Sequence, residues 1–411
     1  MLNKWLLSRD FSIALAGRTC SIFGDAAAVV ALTLRLQTGG AAPWEVASLM
    51  AAGFLPPVLL VRPVGRLVDA QSSQRLLVGA GLFETACCVP LVAAGSLPAI
   101  VVLVALLGAA TALSTATWSA LTPHLVGEDG VPRAVATQQA LSNLAAVAGP
   151  ALGGVLAALV GTGPVLAVDA ASFLAITLAA ATIRKHRVAA GSRPGAVERA
   201  EPGSGFSVLR ADPLLLAVFG GLAAVVLLVG MVDVVLVYLV RETLRAPAWW
   251  FGFASAGWML GMVGGALGSA RLGTASRRAV AVVLGVGLAS AALGCYAAAP
   301  AAWVLVPLGV LGGIGNGMAS ACLATLLLTR TRERLRGRMS AVVNAGFGAA
   351  QGASLVAGGL LAIVLAPRLV FAIGGFLGLL ATIGMAVATR SALKREGAAA
   401  PAPARGAGPA A

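Results

Sequence analysis

Apolar and polar positions alternate along this chain on the scale of whole helices rather than of single residues. Twelve stretches of about 20 apolar residues, each long enough to cross a bilayer as an α-helix, are separated by short polar gaps. The stretches cover residues 11–36, 44–62, 76–97, 98–122, 134–160, 164–183, 213–240, 249–270, 279–299, 301–327, 339–365 and 367–389. This pattern predicts an all-α integral membrane protein with twelve transmembrane helices.

The longest gap divides the twelve stretches into two sets of six. It is rich in Gly, Pro, Ser and Arg, which is typical of a linker. We therefore predict an N-terminal six-helix bundle at 1–183, a cytoplasmic linker at 184–212 and a C-terminal six-helix bundle at 213–390. Residues 391–411 are predicted to be a disordered cytoplasmic tail. Arg18 and Asp25 interrupt the first stretch, so we expect an uncleaved span there rather than a signal peptide.

Basic residues mark which gaps face the cytoplasm. All but five of the 29 Lys and Arg residues lie in every second gap or at the termini; the exceptions are Arg18, Arg35, Arg241, Arg245 and Arg368. Loops rich in Lys and Arg stay in the cytoplasm, so both termini are predicted to be cytoplasmic. The Ala, Gly and Arg bias is typical of a GC-rich bacterial genome, and we expect a multi-pass protein of a bacterial inner (plasma) membrane.

Composition narrows the functional classes. Hydrophobic residues make up 59% of the chain and charged residues 11%, too little polar surface for a soluble protein. The net charge of +14 fits basic loops beside anionic lipid. A nucleic-acid reader would need stacking aromatic residues, and only 5% of residues are aromatic. The five cysteines show no metal-ligand spacing, and no metal or other cofactor is expected.

The two halves repeat each other at an offset of about 204 residues. Ala52-Gly53-Phe54 corresponds to Ala256-Gly257-Trp258, and Gly153-Gly154 corresponds to Gly358-Gly359. Two similar bundles in the same orientation are typical of transporters that bind substrate between their halves.

Three local motifs resemble those of the major facilitator superfamily, and within it the bacterial drug and metabolite exporters of the multidrug or siderophore type. Gly65, Asp69 and Arg75 resemble its loop between spans two and three, although the residues between Asp69 and Arg75 depart from the basic pattern. Gly149-Pro150-Ala151-Leu152-Gly153-Gly154 resembles its antiporter motif. Residues 335–340, which include Arg338, resemble the start of its eleventh span.

The resemblance implies a monomeric secondary transporter that exports a small organic compound by alternating access, in exchange for protons. It places Gly65, Asp69, Arg75 and Arg338 at a cytoplasmic gate and Gly149, Pro150, Gly153 and Gly154 at a helix bend. The fourth span contains no Arg or Lys, unlike that of many proton-coupled drug antiporters.

Polar side chains at membrane depth are the candidates for substrate or proton binding, because they are costly in hydrocarbon unless they face a cavity or partner. Asp25, and next Glu84 or Asp233, are hypothesised to exchange protons. Interhelical hydrogen bonding is the alternative for every member of the set. The candidates are Arg18, Asp25, Glu84, Asp169, Asp233, Asn143, Asn316, Asn344 and Gln351.

Two other functions stay open at this point. A transporter that takes up a nutrient would have the same fold as an exporter, and the antiporter motif is the only sequence feature that favours export over uptake. A non-transporting membrane protein, either an acyltransferase or a receptor, is the alternative from another class. His124 and Asp129 have the spacing of an acyltransferase pair, but a match of this length is easily accidental, and we do not expect an enzyme.

Overall fold

The computed structural model describes residues 9–127, 131–183, 209–269, 271–331 and 336–399. Most of the predicted linker therefore lies outside the described residues. In chain order the helices are α1 Arg9–Thr38, α2 Pro43–Leu59, α3 Val61–Ala70, α4 Ser73–Ala93, α5 Leu97–Val126, α6 Val131–Val160, α7 Thr162–Thr182, α8 Pro213–Val229, α9 Val232–Tyr238, α10 Trp249–Ser269, α11 Ala275–Tyr296, α12 Leu305–Arg330, α13 Arg336–Val364 and α14 Pro367–Ala399.

Eleven helical segments in these described ranges are long and apolar enough to cross a membrane. They match eleven of the twelve predicted stretches. The second stretch is α2, which has 17 residues and ends at Leu59. Pro63 explains this end, because a proline inside a helix lacks an N–H donor and clashes with the carbonyl four residues earlier. The chain then continues as the short helix α3.

The seventh stretch was predicted as one span and is interrupted in the structure. Helix α8 ends at Val229, and α9 begins at Val232 after Gly230 and Met231. A β-carbon at Gly230 would lie 2.9 Å from Ser354 Oγ of α13. The absence of a side chain at Gly230 therefore lets α13 lie close to the interruption. The segment ends in one π-helical turn, Leu239–Thr243.

Small residues set the helix spacing. In α10 the residues Gly257, Gly261 and Gly265, spaced four apart, lie directly on the backbone of α12, where a β-carbon at Gly261 would lie 2.8 Å from the nitrogen of Ile314. Close backbone approach is how apolar helices pack where burial from water is no driving force. This row of glycines is therefore a packing surface.

The helices form two groups by their contacts. Helix α1 packs on α6 and α7, and α4 packs on α5 and α7; in the second group α12 packs on α10 and α11, and α14 packs on α8 and α11. The principal contacts between the groups are α6 with α10 and α2 with α13.

Candidate functional site

The two groups meet at one end of the molecule through glycines of α6. A β-carbon at Gly154 would lie 3.0 Å from the Cα of Gly252 in α10, and one at Gly153 would lie 2.7 Å from the Cα of Ala27 in α1. A β-carbon at Gly149 would likewise lie 2.6 Å from the Cβ of Ala26. The predicted motif is therefore a packing surface with two faces, one within its own group and one against the other group.

The second half repeats this arrangement in α13. A β-carbon at Gly358 would lie 2.8 Å from the Cα of Met231, and one at Gly359 would lie 2.6 Å from the Cβ of Ala47 in α2. Met231 follows Ala27 by the same offset of about 204 residues that the sequence repeat shows. The repeat found in the sequence thus has a physical counterpart, since corresponding glycine pairs make corresponding contacts.

Two hydrogen bonds between the groups lie at this same end. The Tyr238 hydroxyl donates to the carbonyl oxygen of Ala41 at 2.8 Å, and the Gln37 amide donates to Glu242 at 3.3 Å. We call this region, from Gln37 and Ala47 to Gly154, Gly252 and Gly359, the closed end. Nothing in the sequence pattern singled out Tyr238, Gln37 or Glu242, because their partners are about 200 residues away along the chain.

A cavity lies between the groups, below the closed end. Its large lobe has a volume of about 590 Å³ and follows α12 from Asn316 to Leu327. A second lobe of about 450 Å³ lies beside Asp233, between α1 and α2 on one side and α9 to α14 on the other. Phe54 and Asn316 line both lobes. These volumes fall in the range of small-molecule sites.

The large lobe of the cavity extends along α12 towards the end opposite the closed end. This helix starts near the closed end, and Leu327 lies close to its other end at Arg330. Eleven residues separate Asn316 from Leu327, a rise of about 16 Å. We call the end that carries Arg75 and Arg330 the open end.

Four of the predicted polar residues line this cavity. Asp233 is exposed to it, and the Gln351 amide of α13 donates a 3.2 Å hydrogen bond to the Asp233 carboxylate. Asn316 lies 3.7 Å from the sulfur of Met262, and Asn344 is exposed in the large lobe. The structure thus brings together groups from α9, α12 and α13.

Two predicted acids lie elsewhere, inside the first group. Glu84 of α4 is 3% exposed and accepts a 3.1 Å hydrogen bond from Ser114 of α5. Asp169 of α7 is 2% exposed; the thiol of Cys88 lies 3.5 Å from one of its oxygens, and its other oxygen has no partner among the described residues.

A buried polar seam joins these acids across four helices. A β-carbon at Gly24 of α1 would contact Asp169 and Ser172 of α7, and Cys88 is one helical turn from Glu84 on α4. Asp25, the next residue of α1, is half-buried. None of these acids is among the residues that line the two lobes.

Arg18 and Asn143 are also separate from the cavity lobes. Arg18 lies in a small recess with Trp118 and Gln138, and its Nε atom has no hydrogen-bond partner in the described part of the chain. Asn143 of α6 is half-buried and engaged in an interaction of its own.

The described contacts of Gly65 and Arg75, two of the predicted gate residues, do not indicate a gate in this conformation. A β-carbon at Gly65 would meet nothing within 4 Å, and Arg75 is exposed. The side chains of Asp69 and Arg338 lie outside what the structure describes. His124 sits in the last turn of α5, and Asp129 falls in an undescribed gap.

Within the described ranges, no three His, Cys, Asp or Glu side chains are grouped closely enough to hold a metal ion.

Solved transporter structures share this architecture. A bacterial homologue of the iron transporter ferroportin in an inward-facing state has a TM-score of 0.68 at 17% identity and covers 93% of this chain and 98% of its own. The nucleoside transporter NupG has a TM-score of 0.69 at 10% identity, with 93% and 99% covered. A bacterial homologue of the human lysosomal transporter Spinster, inward-facing and unoccupied, has a TM-score of 0.64 at 14% identity, with 94% and 96% covered. At these identities the likeness concerns the fold alone.

A relative by sequence is the Macrolide efflux protein A of Streptococcus pyogenes. It is 27% identical over 196 residues, and the match spans 44% of this chain and 46% of that protein, so it covers about half the length of the relative. The family model described as Major Facilitator Superfamily matches residues 14–283 and 231–409. These two matches cover nearly the whole chain, and the chain therefore belongs to the major facilitator superfamily.

Proposed function

We propose that this transporter exports a small organic compound by alternating access. The observation that carries the proposal is the cavity between the two groups, which is sealed at one end by the repeat-related contacts of Gly154 and Gly359 and extends towards the other end. A site between two similar bundles becomes accessible from the opposite side when the bundles rock about it. We take residues 1–183 and 213–390 as these bundles, working as a monomer surrounded by lipid.

The open end is proposed to face the cytoplasm of a bacterial cell. Arg75, Arg271 and Arg330 lie at that end, as the preference of cytoplasmic loops for basic residues requires. Arginines at the closed end have a structural use instead: Arg35 and Arg368 donate to main-chain carbonyls of other helices or turns. The conformation is then inward-facing, as two of the similar solved structures are.

Export rather than uptake is proposed on two grounds. The relative from Streptococcus pyogenes is named for macrolide efflux, and α6 carries the antiporter motif, whose glycines make the seal described above. Macrolides are therefore the first compounds to test.

Proton exchange is proposed to use the polar seam of the first group. Carboxyl groups shielded from water there can carry a proton, and Asp25 lies at the edge of the seam on α1. Glu84 and Asp169 are the deeper members. This separates the proton sites from the cavity, so a compound and a proton need not compete for one side chain.

Everted membrane vesicles with an internal pH dye test the proposal. Addition of a transported macrolide should release protons from energised vesicles, and Asp25→Asn should abolish the release while compound binding persists. Asp10→Asn, on the same helix before its apolar stretch, is the matched control. Normal export with an unchanged pH dependence in Asp25→Asn would remove that residue from the proton route.

The two remaining functions make different predictions in vesicles and in intact cells. Accumulation that runs with the proton gradient into intact cells would indicate uptake. Silence across a broad panel of compounds would favour a receptor, and loss of an acyl-transfer activity in His124→Ala would favour an enzyme.

A further inference from the structure

Arg18 carries a positive charge inside a membrane-spanning helix, away from the cavity lobes. It lies nine residues after the start of α1 at Arg9, a rise of about 14 Å. Its side chain is half-buried, and its Nε atom is buried without a hydrogen-bond partner in the described part of the chain. A charged group at this depth is costly unless it faces a partner or a polar space. The Nε–H of Arg18 therefore needs an acceptor that the described residues do not supply.

Arg35, on the same helix, shows the contrasting case of a satisfied guanidinium. Its Nε donates to the hydroxyl of Thr162 at 3.0 Å, and its other two nitrogens donate to the carbonyls of Leu91 and Val92. Protein acceptors thus hold one arginine of α1 in place, whereas the Nε of the other is left without one among the described residues.

Asp25 attracts Arg18 but cannot supply the missing acceptor. The two charges act on each other. Because the residues are seven positions apart on one face of α1, their side chains are separated by a rise of about 10 Å, too far for a direct pair. A proton carried by Asp25, as proposed above, would also remove this attraction. Arg18 then requires a counter-charge of its own.

Arg18 lines a small recess between α1, α5 and α6. The recess has a volume of about 10 Å³, which is room for about one water molecule or one ion of similar size. The cavity lobes are far larger, and an organic compound that fits them could not enter the recess. No described residue that lines the recess is acidic.

The polar side chains around this space offer mainly donors. The Trp118 indole can only donate, and the Gln138 amide can donate through its nitrogen. The Thr122 hydroxyl is already used, since it donates to the main-chain carbonyl of Trp118 at 2.9 Å. The rest of the lining is apolar and includes Phe11, so the local dielectric constant is low and charge interactions are strong. A positive charge, donors from three helices and room for one particle together suit a monatomic anion.

We propose that this recess binds one chloride ion, held by the Arg18 guanidinium, the Trp118 indole N–H and the Gln138 amide. The ion is the counter-charge of Arg18 within the membrane, and it stabilises the packing of α1 on α5 and α6. Chloride fits because it is only slightly larger than water, whereas phosphate and carboxylate groups exceed the space.

Thermal unfolding of the purified full-length protein in nanodiscs tests the site. Chloride is titrated against gluconate at constant ionic strength, so that screening of surface charges does not change. At ten times the midpoint concentration, chloride should raise the melting temperature by about 2–4 °C, because a ligand that binds only the folded state stabilises it. Bromide should act in the same way. Equal melting in chloride and gluconate overturns the proposal.

Variants identify the side chains that hold the ion. Arg18→Gln should abolish the chloride response, and Trp118→Phe should raise its midpoint several-fold. Asp25→Asn should lower the midpoint about threefold or more, because a negative charge near the anion is removed. Arg35→Gln is the matched control: it also removes an arginine of α1, yet it should keep the full chloride response. A response that persists in folded Arg18→Gln, or that is lost in Arg35→Gln, contradicts the assignment.

Diffraction locates the ion directly. Crystals of the wild-type protein grown in bromide should show an anomalous peak between Arg18 and Trp118, and crystals of Arg18→Gln should lack it. If the wild-type recess shows no bromide peak, water fills it and the proposal fails.

The anion site goes beyond the proposed function and does not depend on it. Neither the unfolding nor the diffraction measurement involves a transported compound. If the halide binds at Arg18 and macrolide-evoked proton release is absent, the site stands and export is wrong. If proton release is present and no halide binds, export stands and the site is wrong.

Discussion

The Cα of Gly252 lies against the carbonyl oxygen of Pro150, where α10 crosses α6. A β-carbon at Gly252 would overlap that oxygen, and it would lie 3.1 Å from the Cα of Gly154. Because both neighbours are main-chain atoms, a side chain cannot be accommodated by a change of rotamer. The seal between the two groups therefore requires glycine at this position.

Gly252→Val should push α6 and α10 apart and open the closed end. Overpacking of a close contact costs about 1–3 kcal/mol, enough to move a two-state equilibrium by about 5- to 150-fold. In a cysteine-free background, Gln37→Cys should then react faster with an impermeant maleimide added from the side of the closed end. Gly268→Val is the matched control on the same helix, since a β-carbon there meets nothing within 4 Å. Equal labelling of the two variants would show that the seal does not depend on this contact.

The bond between Gln37 and Glu242 gives a second way to test the two-state cycle. In the same cysteine-free background, Gln37→Cys and Glu242→Cys together should be joined by a short bifunctional thiol reagent, because their side chains meet at 3.3 Å across the groups. The joined protein should bind compound but not export it, and a cleavable reagent should restore export on reduction. Single-cysteine proteins treated in the same way should export normally. Full export by the joined protein would mean that this end does not open.

Asp212 should stabilise the second group in two separable ways. It caps α8 by accepting from the N–H groups of Leu214 and Leu215 at 3.0 Å, and it pairs with Arg330 at 2.7 Å. Asp212→Ala should lower the free energy of unfolding by about 1–2 kcal/mol for the cap and by up to about 1 kcal/mol more for the partly exposed pair. Asp212→Asn keeps the cap and should lose only the smaller part. Thermal unfolding of both variants, with and without Arg330→Ala, measures the contributions of the cap and of the ion pair. Equal losses of stability in Asp212→Ala and Asp212→Asn would show that the two contributions cannot be separated in this way.

The sequence predicted the helices well because a spanning helix is defined by the length of one apolar stretch. Interruptions within a stretch are harder to find. The end of α2 has a visible cause in Pro63, but the interruption at Gly230 has none in the sequence, since the chain contains 52 glycines and most of those in its spans pack within continuous helices. The groups of α13 next to Gly230, the Ser354 hydroxyl and the Gln351 amide, are tertiary contacts that the sequence pattern does not carry.

The same limit applies to the candidate site. Composition alone identifies which polar residues lie at membrane depth, and Asp233 and Gln351 were both named. That they meet, while Glu84 meets Ser114 in the other group, depends on which face of each helix is turned inwards. Asp233 and Gln351 are 118 residues apart along the chain, and no periodicity in the sequence indicates that they meet.

Arg35 appeared in the sequence only as an exception to the distribution of basic residues, and its contacts predict a structural role. Its guanidinium donates to the carbonyls of Leu91 at 2.9 Å and Val92 at 2.8 Å, near the end of α4, and to the hydroxyl of Thr162 at 3.0 Å, at the start of α7. The last carbonyls of a helix have no partner within it, so one cation joins three helix ends.

Arg35→Gln should therefore lower the melting temperature by several degrees, since hydrogen bonds to a charged group contribute about 1.5–3 kcal/mol. Arg35→Lys should be intermediate, because an ammonium cannot reproduce the planar fork that reaches separate acceptors. Arg245→Gln is the matched control, an exposed arginine at the same end. If Arg35→Gln melted like the wild-type protein, the arginine would only mark topology. If it melted earlier yet exported compound normally, the contacts of Arg35 would support the first group without shaping the cavity.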